Sequence, residues 1–318
     1  MFINGRHLKN IWWHLPSSHG QKPCASREMN LMNTAFTLGR ALDPGYGTNR
    51  AVIAAMGVSG AAAVASAGAG TPSASLAYEA LAGALAPFIP WALMRELDPD
   101  AEYAALAALP LGAFVFFFVG TPSLMAGMSV LMLTRVSNRS TGRYLHWPDA
   151  CAAAALVCGY AAVSGPVAAM PALLATSFGA APGTRRMRAG MALAAVAAAV
   201  GSTAVYGLPP VAMPGLSGQA AILAITTVVI LHAARLGRVR SRDDRGGAYD
   251  AGGVRVGVSV ALVAAWGMTL AGTGGPAAGG SLWAALATLG LSSAARSLRR
   301  RTYSVSESGL ERTSSDSS

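Results

Sequence analysis

The chain has 318 residues, 53% of them hydrophobic and only 12% charged, with a mean hydropathy of +0.44. A water-soluble domain carries about a quarter charged residues, so most of this chain has no side built to face water, and an ordinary soluble fold is excluded. The net charge of +10 comes from 22 arginines and two lysines that lie between apolar runs, not in a basic patch interleaved with aromatics, which argues against a nucleic-acid surface.

Residues 1–28 differ from the rest. They hold both lysines, three of the five histidines and the pair Trp12-Trp13. They contain no apolar stretch of the kind a secretory signal needs. The expectation is a segment without a fold: either translation begins at Met29 or Met32, or the segment is a cytoplasmic tail anchored by Trp12-Trp13. The chain thus divides into an N-terminal cytoplasmic segment 1–48, a multi-pass membrane domain 49–302 and a tail 303–318.

Ten apolar runs follow, at about 51–70, 74–94, 101–119, 122–135, 149–164, 167–182, 189–207, 217–234, 254–272 and 279–296. A span needs about 20 apolar residues, and several of these are shorter. The stretch 149–182 could form one helix, but Gly165-Pro166 in its middle argues for two. Charge supports that division. The breaks near 71–73, 120–121, 165–166, 208–216 and 273–278 carry no charge, and every break between them carries arginine. The sequence therefore predicts an all-α polytopic integral membrane bundle of about ten short helices arranged as hairpins. By the positive-inside rule it lies in the cell membrane with both termini cytoplasmic.

A repeat supports the hairpin unit. Leu38–Pro44 resembles Leu93–Pro99, and Gly70-Thr71-Pro72-Ser73 recurs as Gly120-Thr121-Pro122-Ser123. Asp43 and Asp98 are expected to cap the helices that follow them, with proline at the first helical position. The tail 303–318 is serine-rich and too polar to bury a core, so it reads as disordered and cytoplasmic.

Few residues offer chemistry. Glu79, beside Tyr78, lies inside the second run. An acid there costs on the order of 3 kcal/mol, and such residues usually face a bundle interior or a wet path. Glu79 and Tyr78, with Gln219 at the start of the eighth run, are the candidates for a substrate or ion path. Pro87 and Pro90 each free a carbonyl on the same helix as Glu79. Arg135, Arg139, Arg143, Arg185, Arg186 and Arg188 are candidates for anionic headgroups. Gly57, Gly60, Ala61 and Ala65 suit close helix packing. Glu96, Asp98, Asp100 and Glu102 form the one dense acid cluster, read as a solvated cytoplasmic turn. Asn138-Arg139-Ser140 fits the glycosylation sequon but falls on the expected cytoplasmic side. Cys151 and Cys158 are seven apart and form neither a disulfide nor a metal pair. HExxH, GxSxG and P-loop signatures are missing, so no catalytic residue, metal or cofactor is expected.

Three functions fit. The first is a small-molecule or ion permease, which requires Glu79 to face a cavity. The second is a non-catalytic assembly or partner subunit that makes its contacts through small-residue faces. The third is a lipid-modifying enzyme, which requires Asp98 and Asp100 to face a basic pocket. The expected partners are the bilayer and either a second copy or another membrane protein, with no nucleic acid. Ten spans with both ends cytoplasmic resemble the drug/metabolite transporter layout in outline. That layout is built from inverted five-helix halves, however, whereas the repeat here is a parallel hairpin.

Overall fold

The computed structural model describes residues 42–68, 71–140, 145–177, 184–207, 214–243, 246–271 and 275–315. The expectations for 1–28, including its start site, lie outside them, as does Arg143. The described residues are helical, apart from turns and one isolated bridge between Arg242 and Ala248.

The first run forms α1, Gly47–Ala67, and the second forms α2, Ser73–Leu97. The third is broken into α3, Glu102–Ala105, and α4, Ala108–Phe114, which runs into a π-helical turn at Val115–Val119. Next come α5, Leu124–Asn138, and α6, Trp147–Ser164. A 3-10 turn, Gly165–Ala168, leads into α7, Ala169–Ser177. The chain continues through α8, Arg185–Tyr206, α9, Leu216–Arg235, and α10, Ala251–Leu270. It closes with the short α11, Gly275–Ala278, and α12, Gly280–Ser315. Each of the ten apolar runs is therefore helical over most of its described residues. Six segments among the described residues are both long and apolar enough to cross a membrane: 47–67, 73–97, 102–119, 185–205, 216–235 and 251–270. The 15 residues of α5 reach only about 22 Å, short of a hydrocarbon core of about 30 Å. The last helix is continuous to Ser315 and so includes the serine-rich stretch 303–315.

All the arginine-bearing breaks described gather at one end of the bundle. Arg135 and Asn138 of α5 reach Glu96 at the end of α2, and Arg188 of α8 donates to the Val136 carbonyl at 3.1 Å. Gly253 of α10 sits against the Ser137 carbonyl, and Arg296 of α12 pairs with Asp98. The opposite end holds the uncharged turns. Ser123 N–H donates to the Ala278 carbonyl at 3.1 Å, and Val167 packs on Gly267. Gly165 and the 3-10 turn that follows it divide 147–177 into two helices, α6 and α7, which pack on neighbouring helices more than on each other. Four helical segments that arrive at the uncharged end stop on a left-handed glycine: Gly68, Gly120, Gly165 and Gly207. Only glycine takes that turn without a Cβ penalty.

The core lies along the second half of α2, on α5, α10 and the start of α12, and includes Ile89, Leu93, Leu131, Leu286 and Leu289. By contrast α1, α8 and α9 are peripheral, with apolar side chains such as Val58, Leu193 and Leu223 pointing outward. That is the pattern of a bundle whose solvent is lipid.

Small residues decide the closest approaches. A Cβ on Gly83 would lie 2.5 Å from the Ala63 Cβ and 2.8 Å from the Ser59 carbonyl, and Gly60 faces the Ala80 carbonyl of α2. Gly60 thus packs as expected. Gly57, Ala61 and Ala65 lie on the other, exposed side of α1, with nothing within 4 Å of a Cβ on Gly57. One of the two proline defects of α2 is closely covered. Pro90 removes the donor that would satisfy the Ala86 carbonyl, and Gly112 of α4 approaches so closely that its Cβ would lie 2.3 Å from that oxygen.

Candidate functional site

The acids at the end of α2 occupy alternate positions, 96, 98, 100 and 102, as the helix gives way to a turn. Each points to a different element. Glu96 Oε1 accepts from Arg135 Nε of α5 at 3.0 Å. The Asp98 carboxylate pairs with Arg296 of α12. Asp100 accepts the backbone N–H groups of Arg240 at 3.0 Å and Ser241 at 2.8 Å, and the Ser241 hydroxyl at 2.7 Å. The Glu102 carboxylate lies 4.0 Å from Arg95 and accepts from Thr48 of α1 at 3.5 Å. One acidic turn therefore joins α1, α5, α12 and the segment after α9. The expectation that Asp98 caps the next helix is corrected here, because its carboxylate is used by Arg296. Asp43 likewise holds Gly45 N–H in a turn ahead of α1 and does not cap it.

Much of this cluster is out of solvent. Glu96 is 1% exposed, Asp98 3%, Asn138 2%, Arg188 3% and His232 7%. Asn138 Nδ2 donates to the Glu96 carbonyl at 2.6 Å, which satisfies one of the orphan acceptors at the end of α2. Gly257 of α10 gives Asn138 its room, since a Cβ there would lie 2.6 Å from Oδ1. His232, near the end of α9, lies within electrostatic reach of both Asp98 and Arg296. Its Nε2 has no hydrogen-bond partner among the described residues.

Asp100 is in the turn, outside the spanning segments. Partial burial pushes its carboxyl up. The Ser241 hydroxyl, the Arg240 and Ser241 N–H groups and the Arg240 charge together outweigh that and hold it below the ordinary carboxylate value.

The sequence-derived candidates are scattered. Glu79 is half-buried on the seventh residue of α2 and Tyr78 is 51% exposed, both toward the uncharged end. Glu79 stands about 26 Å along the helix from Glu96. Gln219, on the fourth residue of α9, donates to the Pro214 carbonyl at 2.8 Å. Because α9 packs on α10 and α12, no shared helix pair joins Gln219 to Glu79. Among the arginines, Arg135 and Arg188 are buried and engaged, whereas Arg139, Arg185 and Arg186 are exposed. The sequon residue Asn138 is buried and bonded to α2.

Sequence reasoning did not single out His232, Arg296 or Ser241 as members of one site. The available signal was four acids at every second position beside a bundle end that receives arginine from every other break. No protein-family model matches the chain, and no curated protein or solved structure matches it.

Proposed function

We propose that the chain is a small-molecule or ion permease of the cell membrane, with the arginine-bearing end cytoplasmic and its working centre at the acidic turn. The observation that carries the reading is His232, a buried histidine of α9 within electrostatic reach of the Asp98–Arg296 pair that joins α2 to α12. Ionisable groups are expensive inside a membrane bundle and mark ion or proton pathways. Histidine is the side chain best suited to taking and returning a proton in the physiological range. Protonation of His232 adds a cation beside Arg296 and competes for Asp98, which gives the α2–α12 contact two arrangements. The broken helices support the same reading: the π turn at 115–119 and the 3-10 turn at 165–168 are discontinuities of the kind transporters use.

The test is cysteine accessibility. With Cys24, Cys151 and Cys158 replaced, single cysteines are placed at Ile225 and Val228, seven and four residues before His232, with Val228 facing Gly290 of α12, and at Ala261 in the core. A permease must open this end. A charged water-soluble maleimide should therefore modify 225 and 228, and do so faster under a pH gradient, while 261 stays protected. Protection at all three positions would sink the reading, and a labelled stripe at 77–83 alone would return the path to Glu79.

One observation favours a second reading, the partner subunit. The exposed face of α1 carries Gly57, Ala61 and Ala65 with open space at Gly57, the kind of surface on which membrane helices pair. Disulfide trapping of Gly57→Cys in native membranes would support it, and a monomer under oxidation would oppose it.

A further inference from the structure

Between α9 and α10 the bundle opens into a groove of about 390 Å³, within the range of small-ligand sites, about 300–1,000 Å³. Its walls are mostly apolar, with Val229 and Ala233 on α9 and Val258 and Leu262 on α10, and Ser259 is the one polar residue among them besides Arg255. Arg255 stands at one end, on the first turns of α10, where the helix leaves the arginine-bearing face. The groove runs inward from there to Leu262, a distance of about 10 Å along the helix. It is thus polar at the membrane surface and apolar toward the bilayer centre.

The head of the groove is positively charged and open. Arg255 is exposed and donates through Nη2 to the Leu236 carbonyl, which holds the guanidinium over the mouth. Arg235 and Arg238 are exposed on the adjoining turn. Among the described residues no carboxylate pairs with any of the three. The nearby acids are committed elsewhere: Asp100 to the backbone of Arg240 and Ser241, Asp243 to Gly247, and Asp250 to the first turn of α10. A cation at the interface above an apolar slot matches an amphiphile with an anionic head.

We propose that this groove binds an anionic phospholipid, with one acyl chain along Val258 and Leu262 and the phosphate on Arg255. The site is distinct from the acidic turn and from Arg139, Arg185 and Arg186, and it holds whether or not the chain is a permease.

Native mass spectrometry of the full chain, released from bilayers of mixed phosphatidylglycerol and phosphatidylcholine, tests this. The wild type should retain phosphatidylglycerol several-fold over phosphatidylcholine. Arg255→Gln should abolish that preference, and Leu262→Trp or Ala233→Phe, which fill the slot, should lose retained lipid of both kinds. Arg185→Gln with Arg186→Gln should leave the preference intact. Equal retention of the two lipids by the wild type would overturn the proposal, as would a preference that survives Arg255→Gln or is lost equally with the Arg185/Arg186 pair. Displacement by inorganic phosphate alone would overturn the lipid assignment, since it would mean that the head site works without the chain. A melting midpoint raised by phosphatidylglycerol in the wild type but not in Arg255→Gln gives the same answer without mass spectrometry.

Discussion

Asp98 and Arg296, 198 residues apart in sequence, form an ion pair that ties the end of α2 to α12, and the buried His232 of α9 lies within its electrostatic reach. The first and last parts of the membrane domain thus meet at a single carboxylate. The neighbouring acids make the same kind of connection to α5, to α1 and to the segment after α9. Charges that look from the sequence like a solvated turn are the seam on which the arginine-bearing end closes.

The Glu96–Arg135 pair sets the strength of that seam. Both side chains are buried, so removing one takes from the other the charge it faces. Glu96→Leu or Arg135→Met alone should each cost about 3–5 kcal/mol of stability. Replacing both with apolar residues of similar volume, as in Glu96→Leu with Arg135→Met, should recover most of it, because the desolvation cost disappears with the charges. Denaturant unfolding in detergent across the four proteins measures the coupling. Additive losses would show that the two side chains do not act as a pair.

The Asp100 contact should depend on pH. Its carboxyl titrates lower in the fold than in the unfolded chain, so the contact contributes stability above the unfolded value, about 3.9. That contribution is lost as pH falls through the lower folded value. Hydrogen exchange at 238–243 should be slow at neutral pH and rise in strong acid, and Asp100→Asn should show the fast exchange already at neutral pH. Identical exchange in Asp100→Asn and wild type would remove Asp100 from this role.

Two glycines give opposite expectations. Gly112→Ala would press a methyl onto the Ala86 carbonyl at 2.3 Å and onto Pro90 at 2.9 Å, with an expected loss of about 1–3 kcal/mol. Gly57→Ala meets open space and replaces a poor helix former, for an expected gain of about 0.5–1 kcal/mol. Thermal melts in one detergent compare them directly. A neutral Gly112→Ala would mean that α2 and α4 do not approach as closely as described here.

The sequence displayed some of this and hid the rest for physical reasons. The apolar runs, their helical character, the division at Gly165-Pro166 and the gathering of arginines at one end all follow from composition and charge order; pairing of neighbours into hairpins does not, since α1 packs closely on α2 but α8 makes little contact with α9. Rotation about each helix axis does not, because Ala and Gly on every face give no stripe to read. That is why Gly60 could not be assigned to the packed side and Gly57 to the open one. The acidic turn was visible as four charges, but which arginine meets which acid depends on how α5, α9 and α12 are placed. Glu79 stood out because it interrupts an apolar run, yet its position near the uncharged end leaves it outside the cluster. His232, close to the end of its apolar run and beside Arg235, reads from the sequence as an interfacial residue, because nothing in the sequence brings Asp98 and Arg296 near it.

Ion flux into proteoliposomes under an imposed pH gradient tests the central reading most directly, with wild type, His232→Gln, Asp98→Asn and Glu79→Gln measured side by side. The reading predicts wild-type flux above that of protein-free vesicles, a loss of about tenfold or more in His232→Gln and Asp98→Asn, equivalent to about 1.4 kcal/mol or more in the barrier, and near wild-type flux in Glu79→Gln. Wild-type flux no greater than that of protein-free vesicles, or flux lost in Glu79→Gln and kept in His232→Gln, would contradict it.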